Sequence, residues 1–212
     1  MQLEQIYTHI DHTVLKQTTT WAQVQKLCDE AIQGKAASVC IPPCYVAKAK
    51  EYTNGAMPIC TVIGFPNGYQ TTMVKLVETK EALANGADEI DMVINLCDVK
   101  NGEWDKVSHE IKALKHACGN RVLKVIVETC YLTEEEKVRL CQIVTETKAD
   151  YIKTSTGFGS AGATVEDVIL FRKECGPNVK IKAAGGIRTV EDAENMLSAG
   201  ADRLGSSALL AR

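Results

Sequence analysis

The sequence predicts an α/β fold, a compact (β/α)8 barrel, and three observations carry that prediction. Eight short apolar runs rich in β-branched residues recur along the chain. Amphipathic stretches with helix start and stop signals alternate with them. A single kind of helix-to-strand turn also recurs, as NGADEIDMV, TKADYIKTS and AGADRLGSS. Eight parallel strands can close into a barrel or form an open doubly wound sheet, and the number eight favours the barrel. A length of 212 residues suits one sizeable core, so the chain is read as a single barrel domain over 1–212 with short loops.

The elements follow in order. HIDHT (9–13) is the first strand, and Thr20 with Gln23 opens the helix after it. SVCI (38–41), ICTVIGF (59–65), EIDMVIN (89–95) and RVLKVIVE (121–128) are the second to fifth strands. Thr133 with Glu136 then opens a helix over 134–147 that turns Val138, Cys141 and Val144–Thr145 to one side. DYIKTS (150–155) and VKIKAAG (179–185) are the sixth and seventh strands, followed by helix starts at Thr164 with Asp167 and Thr189 with Asp192. In each pair the hydroxyl accepts from a free backbone N–H and the residue three positions on returns the bond. DRLGSS (202–207) is the eighth strand. Gly34, Gly86, Gly119, Gly176 and Gly200 stand at helix exits, where a left-handed residue is expected.

Composition excludes several functions. A net charge of −3 with 24% charged residues and no basic stretch does not suit a nucleic-acid binder. The N-terminus MQLEQIYTHIDHT has neither the basic start nor the apolar run of a signal peptide, and no stretch is long enough for a membrane span. The nine cysteines are odd in number and scattered, mostly in apolar segments, so reduced, buried thiols in a cytoplasmic protein are expected. Cys40 and Cys44 form a C-x3-C pair without a second pair, and His9 and His12 lack further ligands. No metal and no cofactor are expected.

Strands of a parallel barrel are covered on both faces and should be nearly continuous apolar runs. Five residues violate this: Asp11, Asp91, Lys124, Lys153 and Lys182. Most are expected toward the C-terminal part of their strands, the face where barrel active sites lie. A lone strand lysine would snorkel to solvent. Three lysines on neighbouring strands are too costly for ordinary packing and point to function. A protonated lysine cannot attack a carbonyl. A second ammonium about 5 Å away opposes protonation by about 3 kcal/mol at an effective dielectric of about 20. Lys182 on the strand next to Lys153 supplies that charge. The arrangement works best with Asp91 paired mainly to Lys182 and Lys153 left unpaired. Glu89, at the start of its strand, is read as a solvated end residue, and Asp91 as a paired or catalytic carboxylate.

Glycines after the last strands suggest an anion site. Ala183-Ala184-Gly185-Gly186-Ile187-Arg188 precedes a helix start at Thr189, and Gly205-Ser206-Ser207 closes the eighth strand. Glycine lets backbone N–H groups approach a phosphate, and barrels of this kind hold phosphate after strands seven and eight. Ser155-Thr156-Gly157 can add donors. Arg188 is read either as a phosphate partner or as a surface residue at a helix start.

DHTVLK (11–16), EIDMVIN (89–95), LKVIVET (123–129), YIKTSTGF (151–158) and IKAAGGIR (181–188) together resemble the 2-deoxyribose-5-phosphate aldolase family, in order and over nearly the whole chain. The resemblance implies a class I aldolase on a TIM barrel. It would reversibly cleave 2-deoxy-D-ribose 5-phosphate to D-glyceraldehyde 3-phosphate and acetaldehyde, in deoxyribonucleoside catabolism. It implies that Lys153 forms the Schiff base, that Lys182 tunes it and that Asp91 serves the proton relay. It matches Cys40 to the substrate pocket and Gly185, Gly186, Ser206 and Ser207 to phosphate-binding positions. We add Asp11, Thr13, Lys124, Thr156 and Gly157 as substrate-binding candidates, and Arg188 and Gly205 to the phosphate set. The expected partners are a small sugar phosphate and acetaldehyde, with a homodimer left open and no nucleic acid or membrane. Family members continue past the last strand with a full helix and tail. This chain stops a few residues after Ser207, so an incomplete eighth helix is expected. A sugar-phosphate isomerase or epimerase would explain the glycine loops but not the lysine pair. A non-enzymatic sensor would have no use for Lys153, Lys182 and Asp91 together.

Overall fold

Every one of the eight apolar runs contains a strand in the computed structural model, which describes residues 2–210. The strands are β1 (Ile10–Thr13), β2 (Ser38–Ile41), β3 (Ile59–Ile63), β4 (Glu89–Val93), β5 (Val122–Ile126), β6 (Tyr151–Lys153), β7 (Lys180–Ala184) and β8 (Arg203–Ser206). Each pairs in parallel with the next, and β8 pairs with β1, so the sheet closes into a barrel. The helices among the described residues are α1 (Leu3–Tyr7), α2 (Trp21–Gly34), α3 (Val46–Thr53), α4 (Thr72–Ala84), α5 (Leu96–Lys100), α6 (Trp104–Cys118), α7 (Glu134–Glu146), α8 (Val165–Glu174) and α9 (Val190–Ser198). No helix among them is long and apolar enough to cross a membrane.

Local signals explain the helix ends. Reciprocal capping boxes open α2 at Thr20, α7 at Thr133 and α9 at Thr189. Thr164 accepts from Asp167 N at the start of α8, but the Asp167 carboxylate goes to Lys137 at 2.5 Å instead of returning the bond. Gly86, Gly119 and Gly200 have positive φ as expected, whereas Gly34 and Gly176 do not. At the end of α2 the left-handed residue is Lys35. Gly34 is small for another reason, because a Cβ there would stand 2.2 Å from Leu210 Cδ2. On α7 the buried side is Leu140, Cys141, Ile143 and Val144, with Val138 only half-buried.

After β8 the described residues run as bends through Ser207–Leu210 without a helix, and Ala211 and Arg212 lie outside the described residues. In this sector α1 packs on α9 and Leu210 lies beside Gly34 and Tyr7.

Strand alternation divides the barrel into two layers. Ile10, Val39, Ile59, Ile90, Met92, Leu123, Val125, Ile152, Ile181 and Leu204 belong to one continuous apolar core with the surrounding helices. Full burial of each is worth about 1.5–3 kcal/mol, so this layer holds the fold together. The alternate positions turn inward and are largely polar. Five of the nine cysteines are buried and all are free, but Cys44 and Cys97 are exposed, so the expectation of buried thiols holds only for part of the set.

Candidate active site

The inward layer brings the five singled-out strand residues together. Asp91, in the middle of β4, is completely buried and lies at the centre. Its Oδ1 accepts from Lys124 Nζ at 2.8 Å. Its Oδ2 accepts from both Lys153 Nζ and Lys182 Nζ, each at 2.7 Å. The two nitrogens are therefore no further apart than twice that distance. This corrects the expectation that Lys153 would be unpaired. Asp91 Oδ2 faces the gap between β6 and β7 and reaches both lysines at once. Lys182 also donates to Asp11, a contact that joins β7 to β1 past the intervening β8.

Two residues that the sequence reading missed complete the cluster. Glu89 is not a solvated end residue. It is 7% exposed and accepts an ion pair from Lys124 at 2.5 Å. It reads as a strand terminus in sequence, but its inward side chain is covered by Arg203 from β8. Arg203 Nη1 lies 2.5 Å from Asp11 Oδ1 and 3.2 Å from Glu89 Oε2. Arg203 could have been found from its spacing, since it alternates with Gly205 and so shares the inward face. Ser38 donates to Asp11 Oδ1 at 2.7 Å, and Cys60 donates its thiol proton to Asp91 Oδ1 at 3.1 Å.

These contacts fix the charge states. Burial pushes the Asp91 carboxyl up, but the ammonium groups of Lys124, Lys153 and Lys182 outweigh it and hold the acid well below its usual range. Asp11 is held low against burial by Lys182, Lys124 and Arg203. Burial pulls Lys182 down, yet Asp11 and Asp91 raise it above the ordinary lysine range, so it is a fixed ammonium at neutral pH. Lys124 is likewise raised against burial, chiefly by Asp91.

Access separates Lys153 from its neighbours. The sequence reading expected most of the five toward the C-terminal part of their strands, but Asp11, Asp91, Lys124 and Lys182 lie within their strands, beneath the mouth. Lys153 is the last residue of β6 and lines a cavity of about 390 Å³ over the C-terminal ends of the strands. Thr13, Thr156 and Gly157 line the same cavity, as do Gly185, Gly186, Arg188, Gly205, Ser206 and Ser207. Among the described residues, its lining includes three basic side chains, Lys16, Lys153 and Arg188, and no carboxylate. Cys40 is not in that lining. It is fully buried in a small cluster with Cys60 and Val62.

The loops around the mouth are held internally. Gly185 and Gly186 both have positive φ, at 84° and 82°. The Ser206 hydroxyl donates to Ile187 O at 2.9 Å and accepts from Ala208 N at 3.2 Å, so it ties the two glycine loops together. Thr13 donates to Asp11 O at 2.8 Å. Arg188 is exposed at the start of α9, where its backbone N–H donates to Asp192, and its side chain borders the cavity. Glu128, also missed, is a buried non-glycine residue with φ of 55°. Its carboxylate accepts from Thr156 N at 3.1 Å and from the Thr156 hydroxyl, which fixes the loop just beyond Lys153. Ala163 N, further along that loop, donates to Ala184 O and Gly185 O at 3.0 and 3.1 Å. A Cβ on Gly162 would stand 2.2 Å from Gly185 O, so the two backbones are in direct contact.

Two groups of buried donors lie close enough to share an ion, Cys40–Cys60–Asp91 and Asp11–Cys60–Glu89. In both, the carboxylates are already held by lysine or arginine. His9 and His12 point elsewhere, to Asp202 O and the Glu30 carboxylate.

The sequence compares closely with known proteins. The pattern of the DeoC/LacD family aldolases matches residues 6–212. A deoxyribose-phosphate aldolase of Clostridium botulinum is 58% identical over 207 residues, which cover 98% of this chain and 94% of that protein. One from Streptococcus pyogenes is 56% identical over 210 residues, covering 99% and 94%. The tetrameric deoxyribose phosphate aldolase of Aeropyrum pernix superposes with a TM-score of 0.91 at 31% identity, covering 99% of this chain and 89% of that one. With the barrel, the buried lysine cluster and these likenesses along the whole chain, the protein belongs to the DeoC/LacD family of aldolases.

Proposed function

We propose that this aldolase reversibly cleaves 2-deoxy-D-ribose 5-phosphate to D-glyceraldehyde 3-phosphate and acetaldehyde through a Schiff base on Lys153. The observation that carries the reading is access: of the three lysines around Asp91, only Lys153 lines the cavity. The names of the relatives supply the substrate, and a cavity lined by no carboxylate among the described residues suits its phosphate.

The steps follow from the chemistry. The neutral Lys153 amine adds to the substrate aldehyde, and loss of water gives a protonated imine. That cation draws electrons from the C–C bond, which breaks to an enamine once a base has taken the proton of the 3-hydroxyl. Asp91 is held too low to be a strong base alone. We place it with Lys182 at the end of a water relay that takes this proton, while its Oδ2 also balances the iminium charge. Protonation of the enamine and hydrolysis release acetaldehyde and the free amine. The iminium is the electron sink, so the cycle needs no metal or cofactor. Gly185, Gly186, Gly205, Ser206, Ser207 and Arg188 hold the phosphate, mostly through backbone N–H groups. Thr13, Thr156 and Gly157 line the sugar, while Asp11, Lys124 and Cys40 act from beneath.

The role in deoxyribonucleoside catabolism and the cytoplasmic setting belong to the same reading, which the free cysteines support. A homo-oligomer is in keeping with the tetrameric Aeropyrum pernix relative. Borohydride reduction in the presence of acetaldehyde or 2-deoxyribose 5-phosphate, followed by peptide mass mapping, tests the mechanism. An adduct on Lys153 is expected. Its absence, or inhibition by EDTA, would overturn the reading.

A further inference from the structure

Lys16 borders two spaces at once. It lines the cavity above Lys153 and also a neighbouring cleft of about 280 Å³, and Leu15 and Phe158 are the other residues common to both. The cleft is mostly apolar, with Phe65 set edge-on to Phe158 at 5.3 Å, and among the described residues Glu78 is the one carboxylate in its lining. That carboxylate is engaged, because Glu78 Oε2 accepts from Gly64 N at 2.9 Å.

The backbone beneath Lys16 is pinned. Val14 N donates to Cys40 O at 3.0 Å, Thr19 N donates to Lys16 O at 3.0 Å, and Tyr45 donates its hydroxyl to Thr19 O at 2.8 Å. The side chain itself is exposed, and among the described residues it has no hydrogen bond or ion pair. A free ammonium on an anchored turn, at the rim of a cavity lined by no carboxylate among the described residues, lacks only its anion. Arg188 borders the same cavity from the start of α9.

We propose that Lys16 is a specificity-determining residue that places its ammonium on the phosphomonoester of the substrate, together with Arg188, and so makes the enzyme prefer phosphorylated sugars. The proposal rests on the aldolase reading above. The glycine loops hold the phosphate through neutral N–H groups, which any small anion could use. Two cations, one from the loop after β1 and one from the loop after β7, select a dianion. Lys16 takes no part in bond making, so its effect belongs in binding.

The test compares wild type with Lys16→Met and Lys16→Arg, using 2-deoxyribose 5-phosphate and unphosphorylated 2-deoxyribose. In Lys16→Met, the ratio of kcat/KM for the two substrates falls about tenfold, equivalent to about 1.4 kcal/mol. The loss lies in KM for the phosphorylated sugar, with kcat retained. Lys16→Arg recovers most of the ratio, and the salt dependence of KM becomes shallower in Lys16→Met. An unchanged ratio in a wild-type-active background overturns the role of Lys16 and leaves the aldolase reading standing. If wild type turns over neither sugar, the aldolase reading fails by itself. Lys16 is then judged by thermal shift with inorganic phosphate: a weaker midpoint in Lys16→Met upholds the anion contact, and an equal one overturns it.

Discussion

Two buried lysine sites in this protein follow opposite rules. Lys75, on α4, is fully buried outside the barrel and donates to Glu110 on α6 at 2.7 Å and to Val93 O at 2.8 Å. Its ion pair is with the Glu110 carboxylate alone among the described residues. Burial pulls Lys75 down and pushes Glu110 up, so the pair leans toward neutrality. Inside the barrel, Lys124, Lys153, Lys182 and Arg203 face only Asp11, Glu89 and Asp91. One cation there has no carboxylate of its own, and Lys153 alone among the lysines reaches the mouth. Burial of a lysine is therefore not the mark of chemistry. An uneven charge count with a way out is.

The largest expected effect separates the two sites at once. Lys153→Ala should abolish turnover in a coupled glyceraldehyde 3-phosphate assay while the protein remains folded by circular dichroism. Lys182→Leu comes next. It removes the fixed ammonium beside Lys153, so kcat should drop by about 10²–10⁴ and the remaining activity should shift to higher pH. An unchanged pH profile would argue against tuning by Lys182. Lys75→Met should do the reverse of both. It strands Glu110 and should cost about 3 kcal/mol in urea unfolding at pH 7 with kcat retained. That loss should shrink as pH falls, because Glu110 then takes up a proton.

Acid sharpens the comparison. Asp11 and Asp91 are held below their unfolded values, so the stability they contribute is present above about pH 4 and is lost as pH falls further. The urea midpoint of the wild type should decline in that window, and Asp11→Asn should flatten the decline. The smallest effect is a baseline away from both sites. Thr20→Ala removes the α2 cap and should cost about 1 kcal/mol without any change in kinetics. A kinetic change there would show that global stability, not the charge cluster, limits activity.

The sequence exposed much of this because the barrel imposes a simple rule. Strands of a parallel barrel should be nearly continuous apolar runs, so Asp11, Asp91, Lys124, Lys153 and Lys182 stood out as exceptions. Glu89 and Arg203 escaped because each sits at the beginning of its strand, where a charge looks solvated. Only closure of the sheet, which brings β8 round to β1, buries them against each other. The sharing of one Asp91 oxygen by two lysines could not be read either, since it depends on side chains from three strands meeting at one level of the barrel. Glu128 was hidden because its left-handed backbone is a property of the turn after β5, and nothing in a glutamate suggests it. Gly34 shows the opposite error. A familiar signal for a helix exit was present, but the residue answers to a distant leucine.

The contact between Gly162 and Gly185 has a practical consequence for anyone reshaping the pocket. The loop that follows Lys153 and the glycine loop that follows β7 share one backbone surface, with Ala163 bonded to Ala184 and Gly185. They are a single interlocked part, not two interchangeable modules. Swapping either loop from a relative should misplace the other, so libraries that recombine them independently would be filled with damaged pockets, and those that exchange them as a unit would not.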